Sequence, residues 1–233
     1  MRLLRSTLFK GLFYIWTGLF CILYLPLMKL PRNKLIACQR FWSHGVLVIL
    51  RAVMNINLEI RGIENIPAGG SIIAMKHQSS FDTFVMHTLV RHPAFVMKKE
   101  LLKIPLYGSF CKNTGMIPVD RDGGLKALKS LMQQSSETIK EGRQLIIFPE
   151  GSRSIPGDKM EYQSGIFGIY KFTKVPVVPV ALNSGVYWPK KGHLVPGGTI
   201  VFDFLDPIEP GKNKEEFMDT LEDEIEKASN LLL

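Results

Sequence analysis

Eighteen consecutive residues near the start of the chain, Gly11–Met28 (GLFYIWTGLFCILYLPLM), carry no charge. As a single helix they would extend about 27 Å, the lower limit for crossing a bilayer core. Such a run has to end in a protein interior or in lipid, and the charges around it argue for lipid. Residues 1–58 hold eight basic residues (Arg2, Arg5, Lys10, Lys29, Arg32, Lys34, Arg40 and Arg51) and no acid; the first acidic residue is Glu59. The whole net charge of +8 therefore belongs to this segment, because the other 21 bases balance all 21 acids. A nucleic-acid binder spreads basic surface over its folded domain. Basic residues bracketing apolar sequence suit an anionic bilayer surface instead, so a membrane and no nucleic acid is the expected partner. A second apolar stretch, Leu35–Val53, contains Arg40, His44 and Arg51. Residues 1–53 thus read as a membrane-associating segment. It is either a transmembrane helix over 11–28 or a helix–turn–helix, broken near Pro26 and Pro31, that dips into one leaflet and returns. No A-x-A-like site follows the apolar core, so an uncleaved anchor is expected rather than a signal peptide. Positive charge on both flanks fits both ends lying on the cytoplasmic side.

From residue 54 to 233 the pattern changes to one domain of alternating strands and helices. Strands are expected at Asn55–Ile60, 71–76, Ala94–Met97, Gly115–Val119, Gln144–Phe148, 175–182 and Ile200–Leu205. Between them lie helices from Phe81, at Leu106–Asn113, at 124–141 with a stripe of Leu125, Leu128, Leu131 and Ile139, and near 165–173. A C-terminal amphipathic helix puts Phe217, Leu221, Ile225 and Ala228 on its apolar face and its acids, Glu226 among them, elsewhere. This alternation predicts an α/β fold with a mixed, largely parallel sheet flanked by helices. Pro176 and Pro179 mark the 175–182 strand as an edge or a bulge. The three cysteines, Cys21, Cys38 and Cys111, form no C-x-x-C pair, so neither a disulfide framework nor a zinc site is expected.

In parallel sheets, function collects in the loops beyond the strands' carboxyl ends. Three stretches fit that placement: KHQSSFD from Lys76, VDRDGG from Val119 and FPEGSRS from Phe148. In the first, His77 ends a strand and Asp82 enters a helix capped by Ser79 or Ser80. Two helical residues five apart would face about 140° away from each other. With His77 still in the turn, the carboxylate reaches one imidazole nitrogen and leaves the other free as a base, and the helix dipole favours its ionised form. There is no G-x-S-x-G and no G-x-x-x-x-G-K-[ST], so neither a serine hydrolase nor a P-loop nucleotidase is indicated.

HQSSFD (77–82), GMIPVDR (115–121), FPEGSRS (148–154) and VPVVPVAL (175–182) resemble, in order and spacing, four sequence blocks of the glycerolipid acyltransferase family. The likeness is closest to the bacterial 1-acylglycerol-3-phosphate (lysophosphatidic acid) acyltransferases. The third block there more often reads FPEGTR, so Ser152 is a departure that keeps the hydroxyl. The resemblance implies transfer of a fatty acyl group from acyl-CoA or acyl carrier protein to lysophosphatidic acid, giving phosphatidic acid. It implies no metal and no cofactor, and a place at the bacterial inner membrane with the catalytic domain on the cytoplasmic face. His77 would be the general base and Asp82 its orienting partner. Arg153, then Arg121, would clamp the acceptor phosphate. Glu150 would fix the loop or Arg153, or bind an acceptor hydroxyl. Ser152 and the Gly151 amide would add phosphate contacts, and the 149–151 turn or the Val175–Val180 segment would supply oxyanion donors. Lys98, Lys99 and Lys103 would meet coenzyme A phosphates or acyl carrier protein, or form an exposed lysine face. Two alternatives stay open at this point: a different lysolipid acceptor, such as a lyso-ornithine lipid, and a non-catalytic protein that binds anionic lipid through residues 1–58.

Overall fold

A computed structural model describes all of residues 1–233. The apolar N-terminal run forms α1 (Arg2–Tyr24), followed by a 3-10 turn at Leu25–Lys29 and α2 (Arg32–Ile49). Pro26 sits in that turn and Pro31 caps α2, so the chain breaks where the two prolines predict. The helices close into a hairpin: Trp16 Nε1 donates to the Trp42 carbonyl at 2.9 Å, and Trp42 Nε1 donates to Thr17 Oγ1 at 3.3 Å. Gly45 allows the close approach, since a Cβ there would come within 2.4 Å of the Trp16 indole. The segment has a helix–turn–helix shape, and its first helix is long and apolar enough to cross a membrane.

The seven strands are β1 (Asn57–Arg61), β2 (Ser71–Met75), β3 (Pro93–Lys98), β4 (Ile117–Val119), β5 (Gln144–Ile147), β6 (Val177–Leu182) and β7 (Thr199–Phe204). They form one sheet in the order β1-β7-β6-β2-β5-β3-β4. Every neighbouring pair is parallel except β6 and β7. The intervening helices are α3 (Phe81–Leu89), α4 (Tyr107–Asn113), α5 (Gly124–Lys140), α6 (Gly165–Thr173), α7 (Ser184–Tyr187) and α8 (Lys214–Asn230). The mixed, largely parallel α/β sheet expected from the alternation is therefore the fold observed.

Side chains alternate across the sheet and feed two cores. On one face, Ile73, Met75, Ile146 and Val178 meet the hairpin, α3 and α4 through Phe9, Leu35, Trp42, Val46, Phe84 and Phe110. On the other, Ile72, Ala74, Leu145 and Val177 meet α5, α6 and α8 through Leu131, Ile166, Phe217, Leu221 and Ile225. Asn213 and Glu216 start α8 with a reciprocal capping box.

Several sequence expectations are corrected. The β6 strand is not an edge, because β2 and β7 flank it, but its pairing is bulged at Pro179 as the second reading expects: the register slips by one residue between Val180↔Phe204 and the bridge Val177↔Ile208. Pro179 is tolerated there because β7 pairs only from Val180 onward, so no ladder bond is asked of its missing N–H, while its carbonyl accepts from Leu205 N at 2.9 Å. Leu125 is 87 % exposed rather than part of the α5 stripe. Glu226, assigned to the polar side of the last helix, is buried. Four of the eight N-terminal bases make contacts that dock the hairpin. Arg2 and Lys10 donate to carbonyls at 192–194, Arg32 pairs with Glu141, and Arg40 donates to the carbonyls of His87, Val90 and Arg91 at the end of α3. Arg5, Lys29, Lys34 and Arg51 are exposed.

Candidate active site

Parallel β2, β5 and β4 end at one edge of the sheet, and all three loops singled out in the sequence meet there. Residues from each line a single cavity of about 1160 Å³, His77, Arg121 and Arg153 among them.

His77 and Asp82 adopt the expected geometry. His77 Nδ1 lies 3.0 Å from Asp82 Oδ2. The same oxygen accepts from the backbone N–H groups of Gln78 and Ser79, both at 2.8 Å. Asp82 is fully buried, so three donors hold one carboxylate oxygen in place. With Asp82 as acceptor, the Nδ1–H tautomer is selected and Nε2 keeps its lone pair. The imidazole stacks on Phe148, with ring centroids 4.0 Å apart, which fixes its plane. Ser79 Oγ accepts from Phe81 N at 3.1 Å at the helix start, while the Ser80 hydroxyl has a different use. It accepts from Arg153 Nη1 at 2.9 Å, which sets that guanidinium beside the His77 turn.

The FPEGSRS loop is a tight turn in which Gly151 N donates to the Phe148 carbonyl at 3.0 Å. Gly151 takes φ +68°, and Arg121 Nη2 donates to its carbonyl, so the two loops interlock. Arg121 forms no ion pair with its neighbouring aspartates; Asp120 pairs with Lys99. Ser152 has its hydroxyl 4.0 Å from Met160 Sδ and borders the cavity, as Lys190 and Lys98 do.

Two of the foreseen donor groups are engaged elsewhere. The Gly151 amide is already spent on Phe148. The Val175–Val180 segment cannot supply oxyanion donors, because its strand is buried in the sheet between two neighbours. Glu150 borders the cavity and is 3 % exposed; its Oε2 accepts from His77 N at 2.8 Å, and its Oε1 pairs with Lys76 Nζ at 3.1 Å. It fixes the loop, one of the functions foreseen for it. Phe148 and Lys190 were missed, and Ser80 was read only as a possible helix cap; Phe148 and Ser80 stand inside the recognised blocks, but nothing in their spacing reveals a ring stack or a hydroxyl acceptor.

Much of the cavity lining is apolar, including Phe20, Tyr24, Phe95, Leu101, Tyr107 and Phe110, and α1 itself forms part of it. His87 lines the cavity beside Phe95 and Phe110, buried. Burial first, then the charges of Arg40 and Arg143, pull its pKa down to about 3, so it is a neutral lining residue. Burial pushes the Cys111 thiol up to about 11, which leaves it unreactive.

A family model described as acyltransferase matches residues 57–183, more than half of the chain and all three loops. The chain belongs to the acyltransferase family. Relatives with the printed name 1-acyl-sn-glycerol-3-phosphate acyltransferase include the Pseudomonas aeruginosa protein, 32 % identical over 204 residues, which cover 86 % of this chain and 79 % of that one. The Helicobacter pylori protein of the same name is 31 % identical over 159 residues, 66 % of this acyltransferase and 61 % of the relative. The crystal structure of the 1-acyl-sn-glycerophosphate acyltransferase of Thermotoga maritima superposes with a TM-score of 0.82. It covers 100 % of this chain and 98 % of the other at 23 % identity, a likeness of fold that includes the N-terminal hairpin.

Proposed function

We propose that this acyltransferase moves a fatty acyl group from acyl-CoA or acyl carrier protein to the sn-2 hydroxyl of 1-acylglycerol-3-phosphate, giving phosphatidic acid for phospholipid synthesis. The observation that carries the reading is the His77–Asp82 pair in one cavity lined both by apolar side chains and by Arg121 and Arg153. The apolar lining suits an acyl chain, the arginines a phosphomonoester, and the base shares the cavity with both. His77 Nε2 takes the acceptor hydroxyl's proton as that oxygen attacks the thioester carbonyl carbon. Asp82 stabilises the imidazolium. The tetrahedral intermediate then collapses, the C–S bond breaks, and the departing thiolate takes the proton from His77. A thioester is already activated, so none of these steps calls for a metal, a cofactor or a covalent enzyme intermediate.

The reaction needs a bilayer within reach, and α1 offers one face of exposed apolar side chains, among them Leu4, Leu8, Ile15, Leu19 and Ile22. The hairpin would lie in one leaflet of the bacterial inner membrane, on its cytoplasmic side, with Arg5, Lys29, Lys34 and Arg51 at the headgroups. The test is thiol release from palmitoyl-CoA by detergent-purified protein, with and without 1-acylglycerol-3-phosphate. Acceptor-dependent release is expected, lost by at least about 100-fold in His77→Ala. In Arg153→Ala the acceptor KM should rise about tenfold, the loss of one charge-assisted contact. Silence of the wild type with both acyl-CoA and acyl carrier protein donors would refute the reading.

A further inference from the structure

His77 and Lys76 are consecutive, so their side chains leave β2 toward opposite faces of the sheet. His77 faces the cavity and the hairpin side. Lys76 joins the face covered by α8 and is almost completely buried. Burying an ammonium without partners is costly, and here two carboxylates meet it. Lys76 Nζ is 2.6 Å from Glu226 Oε1, on α8, and 3.1 Å from Glu150 Oε1. Tyr162 donates its hydroxyl to Glu226 Oε1 at 3.0 Å. Burial, then the nearby Glu226 and Glu150 carboxylates, push the Tyr162 phenol's pKa upward, so it remains a donor. Glu150 Oε2 completes the chain by accepting from the His77 backbone N–H. A continuous polar connection thus passes through the sheet, from the C-terminal helix to the main chain of the proposed base.

We propose that Glu226 is a positioning residue for the acyl transfer, acting through Lys76 and Glu150 to hold the His77 backbone in register with Asp82 and to supply negative charge beneath the imidazolium. The inference rests on the proposed role of His77 as general base. Glu226 lies far outside the matched family region of 57–183, on a helix that contributes nothing to the cavity lining. Its effect on His77 is electrostatic as well as mechanical, because two carboxylates surround a single ammonium. The other charged groups around His77 are Asp82 at Nδ1, Arg153 on Ser80, Arg121 on the Gly151 carbonyl, and Lys190 on the Arg153 carbonyl at 3.0 Å. Around Glu226 the remaining charges are the Lys159–Glu222 pair and the Asp223–Lys227 pair on the outer surface of α8.

The experiment compares wild type, Glu226→Gln and Glu226→Asp by pH–rate profiles of radiolabelled acyl transfer, with melting temperatures measured on the same samples. Glu226→Gln keeps the shape and removes the charge. Its kcat should fall about tenfold at unchanged acceptor KM. Its acid limb should move to lower pH by roughly half a unit, the effect of a unit charge ~10 Å away at an effective dielectric constant of ~40. The direction follows because removing a negative charge makes the imidazolium easier to deprotonate. Glu226→Asp retains the charge but draws the carboxylate back from Lys76, so its kcat should fall while its acid limb stays in place. If Glu226→Gln does not fold, that split in Glu226→Asp alone supports the proposal. Variants with wild-type kcat and acid limb, differing only in melting temperature, would overturn it. A wild type inactive with every donor would instead remove the acyltransfer reading itself, and this inference with it.

Discussion

Replacing Asp82 by asparagine separates the charge of this residue from its architectural work. Asp82 Oδ2 accepts three hydrogen bonds, from His77 Nδ1 at 3.0 Å and from the Gln78 and Ser79 amides at 2.8 Å each. Asparagine has a carbonyl oxygen for the same position, so the turn keeps its contacts. What disappears is a unit negative charge 3.0 Å from a ring that, in the proposed mechanism, becomes positive when the acceptor alcohol loses its proton. At an effective dielectric constant of ~20, that charge pair is worth roughly 5 kcal/mol before solvent in the cavity screens it. A net loss of about 3–4 kcal/mol in the transition state corresponds to a kcat lower by about 10²–10³. Acceptor KM should stay within about twofold, because Asp82 is buried behind His77 and touches no substrate. Asp82→Ala is the poorer probe: it orphans two buried amides at about 1–3 kcal/mol each and would disturb the turn itself. The assay is steady-state acyl transfer at saturating donor, with a thermal melt showing that the variant is folded. A folded Asp82→Asn enzyme whose kcat lies within about threefold of wild type, or whose deficit is entirely in KM, would refute the role of the carboxylate.

Two further outcomes follow from other parts of the molecule. His87 titrates near about 3 in the folded chain and near ~6.5 when unfolded. The unfolded state therefore binds the extra proton between those values, and the stability this group leaves intact above pH ~6.5 is lost as pH falls. His87→Phe, which suits a site between Phe95 and Phe110, should abolish about 2 kcal/mol of the destabilisation between pH 7 and pH 5; equal losses in wild type and variant in urea titrations would disprove it. Leu19→Asp combined with Ile22→Asp places charge on the outward face of α1 without touching the core. It should reduce cosedimentation with anionic vesicles at least tenfold while leaving turnover of detergent-dispersed acceptor near wild type; undiminished vesicle binding would exclude that face as the membrane contact.

The parts of this structure that were legible in the sequence are those governed by local patterning. Periodicity locates β2, α3, β5 and α8 to within a few residues because each buries one face or both. The His77–Asp82 contact was legible too, since a turn and the first turn of a helix fix the distance between residues five apart. The errors came where distant elements decide. Pro179 reads as an edge marker until β7 is seen to pair only beyond it. Glu226 belongs on the polar side of its helix until Lys76, 150 residues earlier in the chain, turns out to need a counterion there. Glu150 was read as fixing its loop or meeting an acceptor hydroxyl, and the buried Lys76 ammonium that takes one of its oxygens has no local signal. The basic residues of the hairpin were counted correctly but not apportioned: Arg40 is consumed by three carbonyls that no local pattern exposes.

The docking of the hairpin bears on how this protein can be re-engineered. Phe9, Leu35, Trp42 and Val46 share a core with the sheet, and Phe20 and Tyr24 bound the same cavity as His77. Anchor and catalyst are therefore not interchangeable modules. Deleting residues 1–53 to obtain a water-soluble enzyme would strip one wall from the reaction chamber and bare the face of the sheet behind it. Grafting an unrelated transmembrane helix onto residues 54–233 would restore the address but not the wall. A soluble form has to be sought by recolouring the outer face of α1, side chain by side chain, with the inner face left as it is.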